Sequence, residues 1–132
     1  MGVSEELILH ETYAKEWDID LSNNYIKNAT KNYTDFLDDT SKRLSTLEIM
    51  FAMTPGMRLY SWIGKSLFEQ DFDNKYKEWI ITYSEVSFEN LANSLENLIE
   101  TTTESYDIHQ VKYLYKRAME LELDFFNAYS DF

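Results

Sequence analysis

Glu122 is the residue whose neighbours in the sequence most directly imply chemistry. On a helix, the positions one turn before and after it are Ala118, Met119, Phe125 and Phe126. None of these can neutralise a carboxylate, and together they mark an apolar, aromatic face. Glu120 makes the contrast, because Lys116 and Arg117 precede it by one turn and it reads as a solvated surface acid. An acid turned inward loses hydration. That disfavours its charged form and raises its pKa toward the range useful for proton transfer. The competing expectation is that Glu122 sits at the edge of the stripe and extends to water.

Two further features bear on a site around this acid. Thr54-Pro55-Gly56 interrupts a long helical run, with Tyr60 four residues beyond Gly56. Pro55 lacks an amide donor and clashes with the carbonyl of Phe51, so a kink or break is expected there. Such irregularities often lie at functional sites, although a plain kink wrapping the core is the commoner case. The second feature is the aromatic load of 10 Tyr, 8 Phe and 3 Trp. Tyr33, Tyr60 and Tyr83 each fall on or near an inward helical face, and a buried Tyr needs a partner for its hydroxyl. Several Tyr converging on one acid would form a polar-tipped aromatic pocket suited to a flat heteroaromatic ligand. For any single Tyr, simple core packing is the alternative.

Other chemistries have less support. The chain has no cysteine, which removes disulfides, thiolate metal sites and thiol nucleophiles together. His10 and His109 are the only histidines, and the paired Glu-x-x-His motifs of a carboxylate di-iron bundle are missing. No Gly-rich phosphate loop and no nucleophile elbow is found. Neither a metal site nor a cofactor is expected.

The elements that must position these residues read as helices throughout. Apolar spacing predicts a helix over Val3 to Trp17 with Ser4 as its cap, then a polar connection over 18–29. A second helix is expected from Thr30 to about Thr40, with Tyr33, Phe36 and Leu37 on one face. A longer run covers 42–69 around the proline. Asp73 is placed as the cap of a short helix reaching Trp79 and Ile80. Ser84 is placed at the start of the next, with Phe88, Leu91, Leu95 and Leu98 in register. Asp107 and Gln110 form a candidate capping box for a last helix carrying Val111, Leu114, Ala118, Leu121, Phe125 and Ala128 on one stripe. No segment alternates with a period of two. The expected fold class is an all-α bundle.

The chain of 132 residues suits a single domain with a real core. Twenty-four acidic residues against twelve basic ones give a net charge of −12. Such a charge repels phosphate backbones and anionic lipids, so no nucleic-acid partner and no membrane partner is expected, and direct DNA regulation is disfavoured. The start lacks the basic and apolar segments of a signal peptide, and no apolar stretch is long enough to span a membrane. A cytoplasmic location is the default expectation.

Read in order, several segments resemble the TenA/thiaminase II family. The run Ala52-Met53-Thr54-Pro55-Gly56-Met57-Arg58-Leu59-Tyr60, continuing to Ile63-Gly64-Lys65, is similar to its signature helix, where Pro-Cys is followed by a Tyr and then a hydrophobic-Gly-Lys. Tyr33-Thr34-Asp35-Phe36-Leu37, Trp79-Ile80-Ile81-Thr82-Tyr83-Ser84 and Glu122-Leu123-Asp124-Phe125-Phe126 resemble three further family segments. Leu9-His10-Glu11 with Tyr13, Trp17 and Ile19 resembles a fourth. The wording around Met57 to Tyr60 is nearest to fungal members.

This resemblance implies a haem-oxygenase-like helical bundle and a role in thiamin metabolism, hydrolysing aminopyrimidine breakdown products or thiamin to hydroxymethylpyrimidine. It implies Glu122 as the acid that moves protons, Tyr33 and Tyr83 as pocket walls, and Tyr60 as the residue one turn past the nucleophile. Two departures stand out. The nucleophile position is Gly56, so thiolate catalysis is ruled out, although some family branches lack this Cys and use other acids. Residues 1–132 also align with the C-terminal portion of the family domain. Its opening helices, with a pyrimidine-binding Asp and another Tyr, have no counterpart. The resulting expectation is a single TenA-like domain with impaired catalysis, acting as a homo-oligomer or with a partner chain that supplies the missing helices. The alternative expectation is a non-catalytic pyrimidine-binding or assembly module.

Overall fold

A computed structural model describes residues 3–22, 25–70 and 75–130. Among them lie six helices and no strand: α1 Val3–Glu16, α2 Asn28–Arg43, α3 Thr46–Phe68, α4 Lys77–Ser84, α5 Val86–Thr101 and α6 Ile108–Ala128. No helix among the described residues is long and apolar enough to cross a membrane.

The bundle is organised around α3, which packs against α2, α4, α5 and α6. Its sequence is apolar on most sides, as a helix surrounded by others must be. Its start is fixed by a capping box, in which the Ser45 hydroxyl accepts from the Glu48 amide and the Glu48 carboxylate accepts from the Ser45 amide. Several of its buried residues are small: Ala52, Thr54, Ser61 and Gly64. Small side chains let the neighbouring backbones come close. The ion pairs Arg58–Glu96 and Lys65–Glu89 run in opposite order along the two helices, so α5 lies antiparallel to α3. The pairs Tyr33–Glu122 and Thr30–Tyr129 place α2 antiparallel to α6 in the same way.

The last helix follows its sequence pattern. Val111, Leu114, Ala118, Leu121 and Glu122 are buried along one stripe of α6. Asp107 caps it, its carboxylate accepting from the amides of His109 and Gln110 at 2.8 and 3.5 Å. Asp107→Ala is expected to cost about 1 kcal/mol, seen as a lower urea midpoint with an unchanged slope.

Five local expectations need correcting or setting aside. The helix does not break at Pro55, since α3 continues through it and the proline is fully buried. A proline removes only one amide, the turns on either side keep theirs, and four packed neighbours hold α3 in place. The Thr54 hydroxyl also donates to the Met50 carbonyl at 2.8 Å. Ser4 lies inside α1 and does not cap it. Ser84 is the last residue of α4, its hydroxyl donating to the Ile81 carbonyl, and Glu85 is the residue that opens α5. Asp73 lies outside the described residues. Helix α2 begins at Asn28, two residues earlier than its apolar pattern suggests, after Lys27 in extended conformation.

The core is modest in side-chain size: Ala14, Leu47, Ala52, Ile80, Ala92, Val111, Leu114, Ala118 and Leu121. Many larger apolar residues stay at the surface, among them Leu7, Ile8, Trp62 and Leu123. Helix α1 lies beside the entry to α4, where the Tyr13 hydroxyl donates to the Lys75 carbonyl.

Candidate functional site

Three helices converge on Glu122. It is 2% exposed, so α6 turns it into the interior and not out to water. From α2, the Tyr33 hydroxyl donates to Glu122 Oε1 at 2.5 Å. Burial raises the Glu122 pKa, and the hydroxyls of Tyr33 and Tyr60 offset part of that by favouring the carboxylate. Burial, with the acid beside it, pushes the Tyr33 phenol far above its ordinary range, so Tyr33 stays protonated and acts as a donor. The second carboxyl oxygen, Oε2, is buried and has no hydrogen-bond partner. An orphaned buried oxygen is costly unless it carries the proton or meets a donor from a ligand.

Gly56 lies directly against this acid. A Cβ built on it would stand 2.9 Å from Glu122 Oε1 and 3.4 Å from the Tyr33 hydroxyl. The position that reads in sequence as an empty nucleophile site is therefore crowded by the Glu122 carboxylate itself, packed over the bare Cα. Gly56→Ala gains up to about 1 kcal/mol of helix propensity but forces the carboxylate to shift off Tyr33. The expected outcome is a thermal midpoint that moves by only a few degrees, together with a changed Glu122 titration in carboxyl-labelled NMR. An unchanged titration would show that the contact is absent.

Tyr83 joins the site through aromatic packing and not through the acid. The Tyr60 ring lies 5.2 Å from Tyr83, 5.6 Å from Trp79 and 5.9 Å from Phe126, measured between centroids. Trp79 and Tyr83 stand 4.6 Å apart. These distances favour tilted and edge contacts between rings. Of the expected site residues, Tyr33, Gly56, Tyr60 and Glu122 meet directly, and Tyr83 stands one ring away. Trp79 and Phe126 are additional wall residues. Their signal in sequence is spacing alone, since each sits one helical turn from a site residue.

Gly64 is a further positioning residue, one that spacing in the sequence does not reveal. A Cβ there would meet the Tyr83 carbonyl carbon at 2.5 Å, the Ser84 amide nitrogen at 2.7 Å and the Tyr83 oxygen at 2.8 Å. The α3 and α4 backbones touch at this point, which fixes where Tyr83 stands relative to Tyr60. Among the described residues, no group of three or more His, Cys, Asp or Glu could hold a metal ion. Taken together, the residues present a shielded carboxyl able to exchange a proton, a fixed phenol donor, an unpaired oxygen acceptor and a wall of rings.

The family profile described as TENA/THI-4/PQQC matches residues 1–131. The chain belongs to the TENA/THI-4/PQQC family. Its all-helical bundle is the haem-oxygenase-like fold of that family. This TENA/THI-4/PQQC chain is also similar to the Bifunctional TH2 protein, mitochondrial, of Arabidopsis thaliana, at 35% identity over 155 residues. That match covers 96% of the chain and 25% of the relative, so the chain spans about a quarter of the length of the curated relative it matches. No solved structure matches the TENA/THI-4/PQQC chain.

Proposed function

We propose that this domain serves thiamin metabolism by binding an aminopyrimidine between the Tyr33, Tyr60 and Tyr83 rings, with Glu122 as the group that exchanges protons with it. The observation that carries this reading is the buried Glu122, with one oxygen held by Tyr33 and the other unpaired. An aminopyrimidine offers N–H donors that would satisfy Oε2 and a flat ring that suits the aromatic wall. Hydrolysis at this site would use Glu122 as general acid and base toward ring and water, without a covalent thiolate step.

Gly56 supports a second reading, a pyrimidine-binding module without turnover. No side chain can attack from that position, and the Glu122 carboxylate occupies the adjacent space. Calorimetry with hydroxymethylpyrimidine tests both readings together. Saturable binding that weakens about tenfold or more in Glu122→Gln is expected, because the substituted amide presents a donor where an acceptor is needed. Absence of binding would remove the pyrimidine role. Binding without hydrolysis of an aminomethyl-pyrimidine substrate would favour the module.

We also infer that the domain associates, either as a homo-oligomer or with a partner chain that supplies further helices. The exposed Leu7, Ile8, Trp62 and Leu123 support this, because large apolar residues left in water favour docking. Light scattering that returns a monomer at all concentrations would count against it.

A further inference from the structure

The outward ridge of α6 carries its charges in an order that its own helix does not favour. Lys112, Lys116, Glu120 and Asp124 follow one another four residues apart, and all four are exposed. They form one ridge about 18 Å long, basic in its N-terminal half and acidic in its C-terminal half. A helix dipole prefers the opposite order, with acids toward the N-terminus and bases toward the C-terminus. The first turn of α6 holds no acid and its last turn no base. Pairing within the ridge is weak for the same reason, because a Lys four residues before a Glu is the poorer arrangement. Lys116 and Arg117 stand 3.5 and 3.6 Å from Glu120, at the long end for an ion pair.

What this order does suit is its own antiparallel copy. Lys116 and Glu120 lie two residues either side of Ala118, and Lys112 and Asp124 lie six either side. Turned end for end about that level, the ridge sets Lys116 against Glu120 of the second copy and Lys112 against Asp124, twice over. A two-fold interface requires this self-complementarity. The exposed apolar residues share the same centre. Tyr113 and Leu123 each lie five residues from Ala118 and are 59% and 61% exposed. Leu123 lines an apolar groove of about 420 Å³ between α3 and α6, together with Leu59, Ile63, Met119 and Phe126. Lys116 and Glu120 line the same groove. Of the six helices, α2 and α3 pack against α6, and they leave this ridge in solvent.

We propose that the ridge is a homodimer surface, on which α6 pairs antiparallel with α6 of a second copy and Tyr113 of one copy meets the groove at Leu123 of the other. This deepens the association proposed above and rests on it. A second copy is the occupant that the charges select. A uniformly acidic partner would be repelled by Glu120 and Asp124, and a uniformly basic one by Lys112, Lys116 and Arg117. With a net charge of −12 on each copy, close approach needs local compensation. Lys112, Lys116 and Arg117 provide it, three of the twelve basic residues gathered within six positions.

Sedimentation velocity over a concentration series, on the full chain, tests the pairing. The native chain is expected to show a reversible monomer–dimer equilibrium. One variant carries Lys112→Glu with Lys116→Glu, and another carries Glu120→Lys with Asp124→Lys. Each places like charges opposite one another and is expected to dimerise about tenfold more weakly or worse, with its helical circular dichroism retained. Mixed in equal amounts, the two variants have matched ridges again and are expected to form a dimer at a concentration where each alone is monomeric. Tyr113→Ser should weaken the native dimer several-fold. Glu122→Gln should leave it unchanged, which separates this surface from the pyrimidine site. A native dimer that both charge variants retain would overturn the pairing while the association itself stands. Variants that stay monomeric when mixed would overturn it as well, since the loss would then not come from matched charges. A native chain that is monomeric at every concentration would remove the pairing and the association together.

Discussion

Glu122→Gln is expected to lower any aminopyrimidine hydrolysis by about a hundredfold or more, while the fold survives and gains stability at neutral pH. The activity loss follows from geometry. Glu122 is the carboxyl at the centre of the Tyr33–Tyr60 cluster, and an amide cannot carry its proton. The stability gain follows from linkage. Burial raises the folded-state pKa of Glu122 above its ordinary value of 4.5, so the folded chain binds that proton more tightly than the unfolded chain. The acid therefore supports the fold most fully below 4.5, and that support is lost as the pH rises through the raised folded value. Gln does not titrate. The difference in thermal midpoint between the variant and the native chain should be small near pH 4 and favour the variant near pH 8. A variant advantage that grows toward acid pH would contradict the burial argument. Turnover that survives the substitution would remove Glu122 from the chemistry.

Gly64→Ala is expected to destabilise the domain by about 3 kcal/mol, a drop on the order of 10 °C in thermal midpoint for a chain of this size. Alanine normally improves a helix interior by about 1 kcal/mol over glycine, so the sign of the change is itself informative. Here the new methyl would meet backbone atoms of Tyr83 and Ser84 at 2.5 to 2.8 Å. Backbone cannot rotate away as a side chain can, so α3 and α4 must separate. That separation would also move Tyr83 from Tyr60, whose rings lie 5.2 Å apart, and should weaken pyrimidine binding in whatever fraction remains folded. Differential scanning calorimetry settles the first point. A midpoint equal to or above that of the native chain would mean that the helices are not in contact there. Comparison with Gly56→Ala sharpens the test, because at Gly56 the obstructing atom is the end of the Glu122 side chain and the expected change is small.

Much of this protein is legible in its sequence, and the reason is locality. Apolar spacing identifies the helices because the inward face of a helix is set by residues three and four apart. The same property marks Glu122 as a candidate inward acid, with an edge position reaching water as the alternative, since its four neighbouring positions all lie on its own helix. Asp107 is readable as a cap because it acts on amides two and three residues away. The boundary between α4 and α5 is less readable, because both Ser84 and Glu85 are compatible with a helix start and only the completed turns decide between them.

Composition and spacing by themselves determine that the chain is a helical domain and that it has no thiol nucleophile, and they single out one acid that could point inward. Only the tertiary structure decides what that acid meets. Tyr33 reaches it from 89 residues away, and Gly56 lies under its carboxylate. Helix crossing and register between distant segments are not written in any local period, so neither contact follows from spacing. The continuity of α3 through Pro55 has the same origin, as packing on four neighbours outweighs the loss of one amide. Zero cysteines is thus a fact of the sequence, whereas the crowding of the Gly56 position by Glu122 is a fact of the fold.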